Sequence, residues 1–324
     1  MKKKEKKGKT KHFLERITIA LESIAASLAE NKASPVQHTE VSKEDTPQTN
    51  ENVISLDESE NNSELIIKEE ESPNILALFL ASRGISIKVL PKEDAADSVI
   101  DSLSLFLGER YNALAPLLMK IKRAMQVGAP ITESLKERAQ VDVSSVCQFC
   151  TRLHEIAFLE QYQYSRSPTY LIRAKTTTLP KAQRFFGGQW LERFILQKVK
   201  EIYYEAINLT PKRNDNIKFR YLINPQIILP NKDDFELDLL ISIGERIYWI
   251  EAKSGDYQQH VSKYAKFART LGIEYTHSIM VLTDTCNEQC HALSSLFTMT
   301  VCNLASFEEH MLSIICEDIK ATES

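Results

Sequence analysis

The sequence predicts an α/β protein: a C-terminal mixed sheet flanked by helices, preceded by a mostly helical segment and a long polar N-terminal region. Three observations predict it. Residues 235–253, FELDLLISIGERIYWIEAK, read as a β-hairpin, two branched and aromatic runs around a turn at Ile243-Gly244-Glu245. Helix and strand candidates alternate on both sides of that hairpin. Residues 32–72 are rich in Glu, Ser, Asn, Thr and Pro and cannot bury enough surface to order themselves.

Taken in order, residues 1–12 form a lysine-rich tail that can attract phosphate by charge alone. Residues 13–31 carry Leu14, Ile17, Leu21, Ile24 and Leu28 at three-then-four spacing, an amphipathic heptad helix. A helix this short is marginal alone in water, so its stripe is expected to meet its own copy or a partner protein. From Glu40 to Glu71 eleven acids face two lysines, the mark of a disordered acidic linker. Residues 73–180 give a helix at Ile75–Ala81, a strand at Ile85–Leu90, three amphipathic helices ending with Val143–Ala157, and a hairpin around Ser165-Arg166-Ser167-Pro168. That order matches a winged-helix-like domain, with Arg152, Arg166, Arg173 and Lys175 on or near its reading helix and wing. Such a domain serves either to bind DNA or purely as a protein-contact module.

The final domain, residues 181–324, opens with a helix from Gln189 to about Ala206, and strands at Ile217–Leu222 and Gln226–Leu229 precede the hairpin. Ser254-Gly255-Asp256 then caps a helix over Tyr257–Leu271. Strands at Ser278–Thr283 and TMTVC and a closing helix at Ser306–Ile319 complete it.

A net charge of −4 over 324 residues argues against a generally basic nucleic-acid coat, although a local basic groove remains compatible. No apolar run approaches the ~20 residues of a membrane span, and no secretory core follows the basic start, so a cytoplasmic protein without membrane contact is expected. The six cysteines then read as reduced thiols. Cys147-x-x-Cys150 with His154 lacks a second ligand pair at zinc spacing and reads as packing on a helix.

The hairpin also carries the candidate chemistry. Side chains two apart share a strand face, which pairs Glu236 with Asp238 and Glu251 with Lys253. Antiparallel pairing can bring Asp238, Glu251 and Lys253 to one point. Gathered carboxylates are costly unless neutralised. A hard divalent cation does this, and Mg²⁺ takes one or two carboxylates plus waters and phosphate oxygens. A neighbouring lysine can then orient water or offset charge on a phosphate.

The E-L-D, hairpin, E-A-K series resembles the PD-(D/E)xK restriction-endonuclease-like superfamily. More closely, it is similar to the nuclease domain of CRISPR ancillary effectors that carry a ligand-sensing CARF domain. Gly187-Gly188-Gln189-Trp190-Leu191-Glu192 is similar to the G-x-W-L-E opening of those domains. The resemblance spans about residues 185–285. It implies a nuclease of DNA or RNA that leaves 5′-phosphates, in an anti-phage setting. Asp238 and Glu251 would hold Mg²⁺ or Mn²⁺, Lys253 would be the motif lysine and Glu192 the helix acid. Gln259 or Lys263 would reach the substrate, although the Q-x-x-x-Y pattern of some relatives is not met, since Tyr264 follows Gln259 by five. No CARF-like region is evident, so control by a cyclic nucleotide does not transfer. The alternative is a non-enzymatic winged-helix or scaffold protein with an inert nuclease-like domain. Alanine variants of Asp238 and Lys253 are expected to fold while losing cleavage.

Overall fold

The computed structural model describes residues 74–209, 217–255, 257–258 and 261–322. The expected tail, heptad helix and acidic linker (1–72) lie outside these residues, as does Gln259. The described chain is mixed α/β. It begins with α1 (Ile75–Ala81), β1 (Ser86–Val89), α2 (Asp97–Glu109), α3 (Tyr111–Val127), β2 (Ile131–Ser134), α4 (Gln140–Glu155), β3 (Leu159–Ser165) and β4 (Leu171–Thr176). A short α5 (Pro180–Arg184) and a wide turn at Phe185–Gln189 lead into α6 (Trp190–Leu209). Then come β5 (Phe219–Ile223), β6 (Gln226–Ile228), β7 (Asp234–Glu236), β8 (Leu239–Ile243) and β9 (Arg246–Lys253). The chain closes with α7 (Val261–Leu271), β10 (Ser278–Leu282), α8 (Asn287–Phe297), β11 (Thr300–Asn303) and α9 (Leu304–Thr322).

Five strands form the main sheet in the order β11-β10-β9-β8-β5. β9 is its centre, antiparallel to β8 and parallel to β10. A strand with neighbours on both sides and layers on both faces must be apolar on both, and IYWI supplies that. Ile250 and Tyr248 face the core shared with α6 and α9, whereas Trp249 faces the core shared with α1 and α7. Gly244 turns the hairpin at φ +59°, a region where a side chain is strained. At the start of the sheet, Asp318 of α9 accepts hydrogen bonds from the Tyr248 hydroxyl and faces His277 Nε2 at 2.8 Å.

β2, β4 and β3 form a small antiparallel sheet beside α2, α3 and α4. This helical segment shares one continuous apolar core with the α6 and α9 side of the main sheet, through residues such as Phe106, Leu117, Phe149 and Phe194. α2 crosses α6 at a glycine. A Cβ on Gly108 would lie 2.2 Å from the Phe194 ring. Gly108→Ala should therefore destabilise the fold by about 1–2 kcal/mol, because overpacking costs about 1–3 kcal/mol and the helix-propensity gain is only about 0.5–1 kcal/mol. A lower urea midpoint at unchanged slope would show it; an unchanged or higher midpoint would refute the close crossing.

Two sequence expectations need correction. In sequence, residues 75–89 read as part of the helical segment, but Leu76, Leu80 and Ile85 pack with Leu222, Trp249 and Phe267 on the other side of the main sheet. β1 pairs with β6 in a second three-stranded sheet. The first hairpin strand is also not continuous. It breaks at Leu237-Asp238 into β7, which joins β6, and β8, which joins β9. Glu236 consequently pairs with Gln226 in the β1-β6-β7 sheet and is exposed, whereas Asp238 is buried.

Candidate active site

The break at Asp238 is what builds the site. β8 begins only at Leu239, which pairs with Ile250, so Asp238 sits level with Glu251 but outside the ladder. Its side chain replaces the missing ladder bond: Asp238 Oδ2 accepts from the Ala252 amide at 2.8 Å. The same oxygen accepts from Lys253 Nζ at 2.7 Å. Lys253 Nζ also lies 3.0 Å from Glu251 Oε2. The three side chains that the hairpin reading grouped therefore meet at the C-terminal end of the central strand.

Glu251 is fully buried and Asp238 is 7% exposed. Glu251 Oε1 accepts from Trp249 Nε1 at 3.1 Å and from the Asp238 amide at 3.4 Å. Its Oε2 contacts Lys253 as an ion pair by distance but lacks hydrogen-bond geometry, so that buried oxygen receives no hydrogen bond. Burial pushes the Glu251 carboxyl up to about 8; the Asp238 charge acts in the same direction, and Lys253 and Trp249 oppose it. Burial disfavours the Lys253 ammonium, but the charges of Glu251 and Asp238 outweigh it and hold Lys253 protonated well above the ordinary lysine range.

Glu192 stands in the first turn of α6, where a carboxylate is favoured by the helix dipole. Its Oε2 accepts from Asn224 Nδ2 at 2.8 Å. Burial raises Glu192 to about 7, with the Asp238 charge adding and Asn224 and Lys253 opposing. Glu192 thus belongs to the same electrostatic cluster.

Two neighbours were not legible as site residues. Asn224, at φ +50° between β5 and β6, donates its amide to the Asp238 carbonyl at 3.0 Å and its side chain to Glu192. Its buried Oδ1 has no donor. An Asn before Pro225 signals only a turn in sequence. Tyr264 of α7 lies against Lys253, whose Nζ is 5.3 Å from the ring centroid. Burial and the Glu251 charge push its hydroxyl up to about 12, against the effect of Lys253. The unmet spacing from Gln259 hid it.

The other expected contact residues lie elsewhere. Lys263, on the exposed side of α7, stands 4.3 Å over the Phe235 ring. Arg152 is exposed on α4 and stacks over Phe106 at 4.5 Å. Arg166 and Arg173 are exposed on the β3–β4 hairpin, and Lys175 pairs with Glu160 at 2.7 Å. Cys150 is buried and His154 Nδ1 faces the Leu159 carbonyl at 3.0 Å, which fits packing on α4.

Among the described residues, no three His, Cys, Asp or Glu side chains are grouped tightly enough to enclose a metal alone. The donor set fits a hard cation completed by water. It offers two adjacent carboxylates, all-oxygen chemistry, and the buried amide oxygen of Asn224, which accepts no hydrogen bond. Three carboxylates against one lysine leave the cluster short of positive charge.

No helix among the described residues is long and apolar enough to cross a membrane. No family model matches the chain, and no curated protein matches it. Among solved structures, it is similar to protein VC1899 from Vibrio cholerae, with a TM-score of 0.49 and 15% identity over 74% of this chain and 60% of that one. It is also similar to Can2 from Sulfobacillus thermosulfidooxidans, solved with cyclic tetra-adenylate, with a TM-score of 0.44 and 12% identity. That alignment too covers 74% of this chain and 60% of the other, so the chain spans about three fifths of the length of either.

Proposed function

We propose that this protein is a metal-dependent nuclease that hydrolyses phosphodiester bonds in DNA or RNA, of the PD-(D/E)xK type its motifs resemble. The observation that carries the reading is the convergence of Asp238, Glu251 and Lys253, with Nζ 2.7 Å and 3.0 Å from the two carboxylates. Asp238 and Glu251 would hold Mg²⁺ or Mn²⁺, with Glu192 helping directly or through water. The bound ion would supply Lewis acidity toward the phosphate and lower the pKa of water.

The residues of the chain do the positioning. The Ala252 amide and Asn224 fix Asp238 from two sides. Trp249 fixes one oxygen of Glu251 and leaves the other turned to Lys253. Lys253, held protonated, can orient the attacking water by hydrogen bonding and offset charge growing on the phosphate. Its ammonium donates rather than accepts in this state, so it is a poor general base.

The helix, helix, strand, helix, hairpin order of residues 97–176 supports a winged-helix role in recruiting nucleic acid. Arg152, Arg166, Arg173, Lys175, Gln259 and Lys263 would contact the nucleic-acid backbone. Residues 13–31 would join copies of the chain or a partner; removing residues 1–31 should then lower the mass measured by light scattering, and an unchanged mass removes that role. An anti-phage setting is what the motif resemblance implies.

The decisive test is a cleavage panel on single- and double-stranded DNA and RNA with Mg²⁺ or Mn²⁺. Metal-dependent products with 5′-phosphates, lost in Asp238→Ala, are expected. Equal degradation by the wild type and the variant would defeat the assignment.

A further inference from the structure

Lys253 is the last residue of β9, and its ladder partner Leu282 is the last of β10. Asp238 and Glu251 hold the Lys253 ammonium, but its backbone sits where both strands end, so its placement also depends on what holds those ends. Helix α3 of the preceding segment does so through two residues. Tyr111 and Lys122 are eleven apart, about three turns of an α-helix, and therefore share one face.

Lys122 Nζ donates to Ser254 Oγ at 3.0 Å and to the Ser254 carbonyl at 3.2 Å. Ser254 directly follows Lys253. The Lys253 carbonyl accepts from the Thr283 amide at 3.3 Å. The Thr283 hydroxyl donates to Asp284 Oδ2 at 2.8 Å. Asp284 in turn accepts from the Tyr111 hydroxyl at 3.0 Å and 3.2 Å. The circuit leaves α3 at Lys122, passes through both strand ends and returns to α3 at Tyr111. Tyr111 also stacks on Trp190, two residues before Glu192, with centroids 5.6 Å apart.

We infer that Tyr111 and Lys122 are positioning residues for Lys253, so that the helical segment completes the active site of the sheet. The inference rests on the nuclease reading for its catalytic consequence, but its structural part stands without it. Reacting groups misplaced by about 1 Å can cost about a hundredfold in rate. Lys253 lies between the two anchors, so its backbone orientation depends on both. Losing either leaves it free to pivot about the other, which two contacts unconnected to each other would not do.

The test compares full-length wild type, Lys122→Met, Tyr111→Phe and the double variant. Each single change should lower kcat by roughly ten- to a hundredfold with KM unchanged. The double variant should be no slower than the slower single, a non-additive result. Lys122→Arg, which keeps a donor at the same reach, should recover most of the rate. Without substrate, hydrogen exchange at the Thr283 amide should quicken in both single variants while the melting temperature stays close to wild type. A raised KM at unchanged kcat would make Lys122 a phosphate contact and overturn the inference. Additive losses, or unchanged exchange at Thr283, would overturn it too. A wild type that cuts nothing would defeat the nuclease reading instead, and the exchange data would still decide the clamp.

Discussion

Lys253→Met is expected to abolish metal-dependent cleavage, by at least about a thousandfold, and to destabilise the metal-free protein at the same time. On the proposed nuclease reading, the first effect follows from losing the ammonium that would offset charge on the phosphate, since removal of a single preorganised electrostatic group costs about 10²–10³ in rate and its help in orienting water is lost with it. The second effect follows from burial. Lys253 is the counter-charge of two carboxylates, one fully buried and one 7% exposed. Removing one partner from a buried ion pair costs about 3–5 kcal/mol. Protonation of Glu251 relieves part of that, so the loss should be larger at pH 8 than at pH 6. Saturating Mn²⁺ should return stability to the variant without returning activity, because a cation can replace the charge of the lysine but not its hydrogen bonds. Chemical denaturation with and without Mn²⁺ reads the first half, and single-turnover cleavage reads the second. Retained cleavage would end the catalytic role of Lys253. An unchanged denaturation midpoint would mean that the carboxylates are neutral without it. The sequence alone suggested that such variants would fold undisturbed; it could not show that the motif lies inside the molecule.

That difference marks what was legible. The branched and aromatic run in RIYWIEAK, the glycine turn and the amphipathic run from Trp190 to Ile202 are local signals. A 2-residue or a 3.6-residue period is fixed by backbone geometry, so those elements appear where the pattern places them. The meeting of Asp238, Glu251 and Lys253 was legible because antiparallel pairing across a short turn is itself nearly local. The break at Leu237-Asp238 was not, because FELDLLI alternates well enough to pass for one strand, and only the pull of two different sheets divides it. The placement of residues 75–89 failed for a related reason. Ile85 and Ile87 read equally well as an edge of either domain, and their partner β6 lies about 140 residues onward. Asn224, Tyr264, Tyr111 and Lys122 reach the site by tertiary contact alone. Nothing in the spacing of a tyrosine and a lysine on α3 points to Asp284 or Ser254, more than 130 residues away in the chain.

Divalent metal should bind this protein more tightly as pH rises, and release protons when it does. Glu251 and Glu192 are carboxyls raised from 4.5 to about 8 and about 7 by burial and by the Asp238 charge. For a carboxyl raised in the folded state, the folded protein holds the proton more strongly than the unfolded chain. Its stabilising contribution is then complete below the unfolded value of about 4.5 and is lost as pH climbs through the folded one. Metal-free protein should accordingly lose stability between about pH 5 and pH 8 on account of these two groups. A cation reverses the sign, because it binds the ionised carboxylates and must displace the protons. Between pH 6 and pH 8 its Kd should fall by up to about tenfold per pH unit for each proton displaced, and flatten above pH 8. Trp249 provides the readout, since its indole donates directly to Glu251 and the chain has only one other tryptophan. A fluorescence titration with Mn²⁺ or Mg²⁺ at several pH values, with Glu251→Gln as control, would follow binding without any nucleic acid present. A Kd independent of pH, or an equal response in the control, would place the cation away from Glu251.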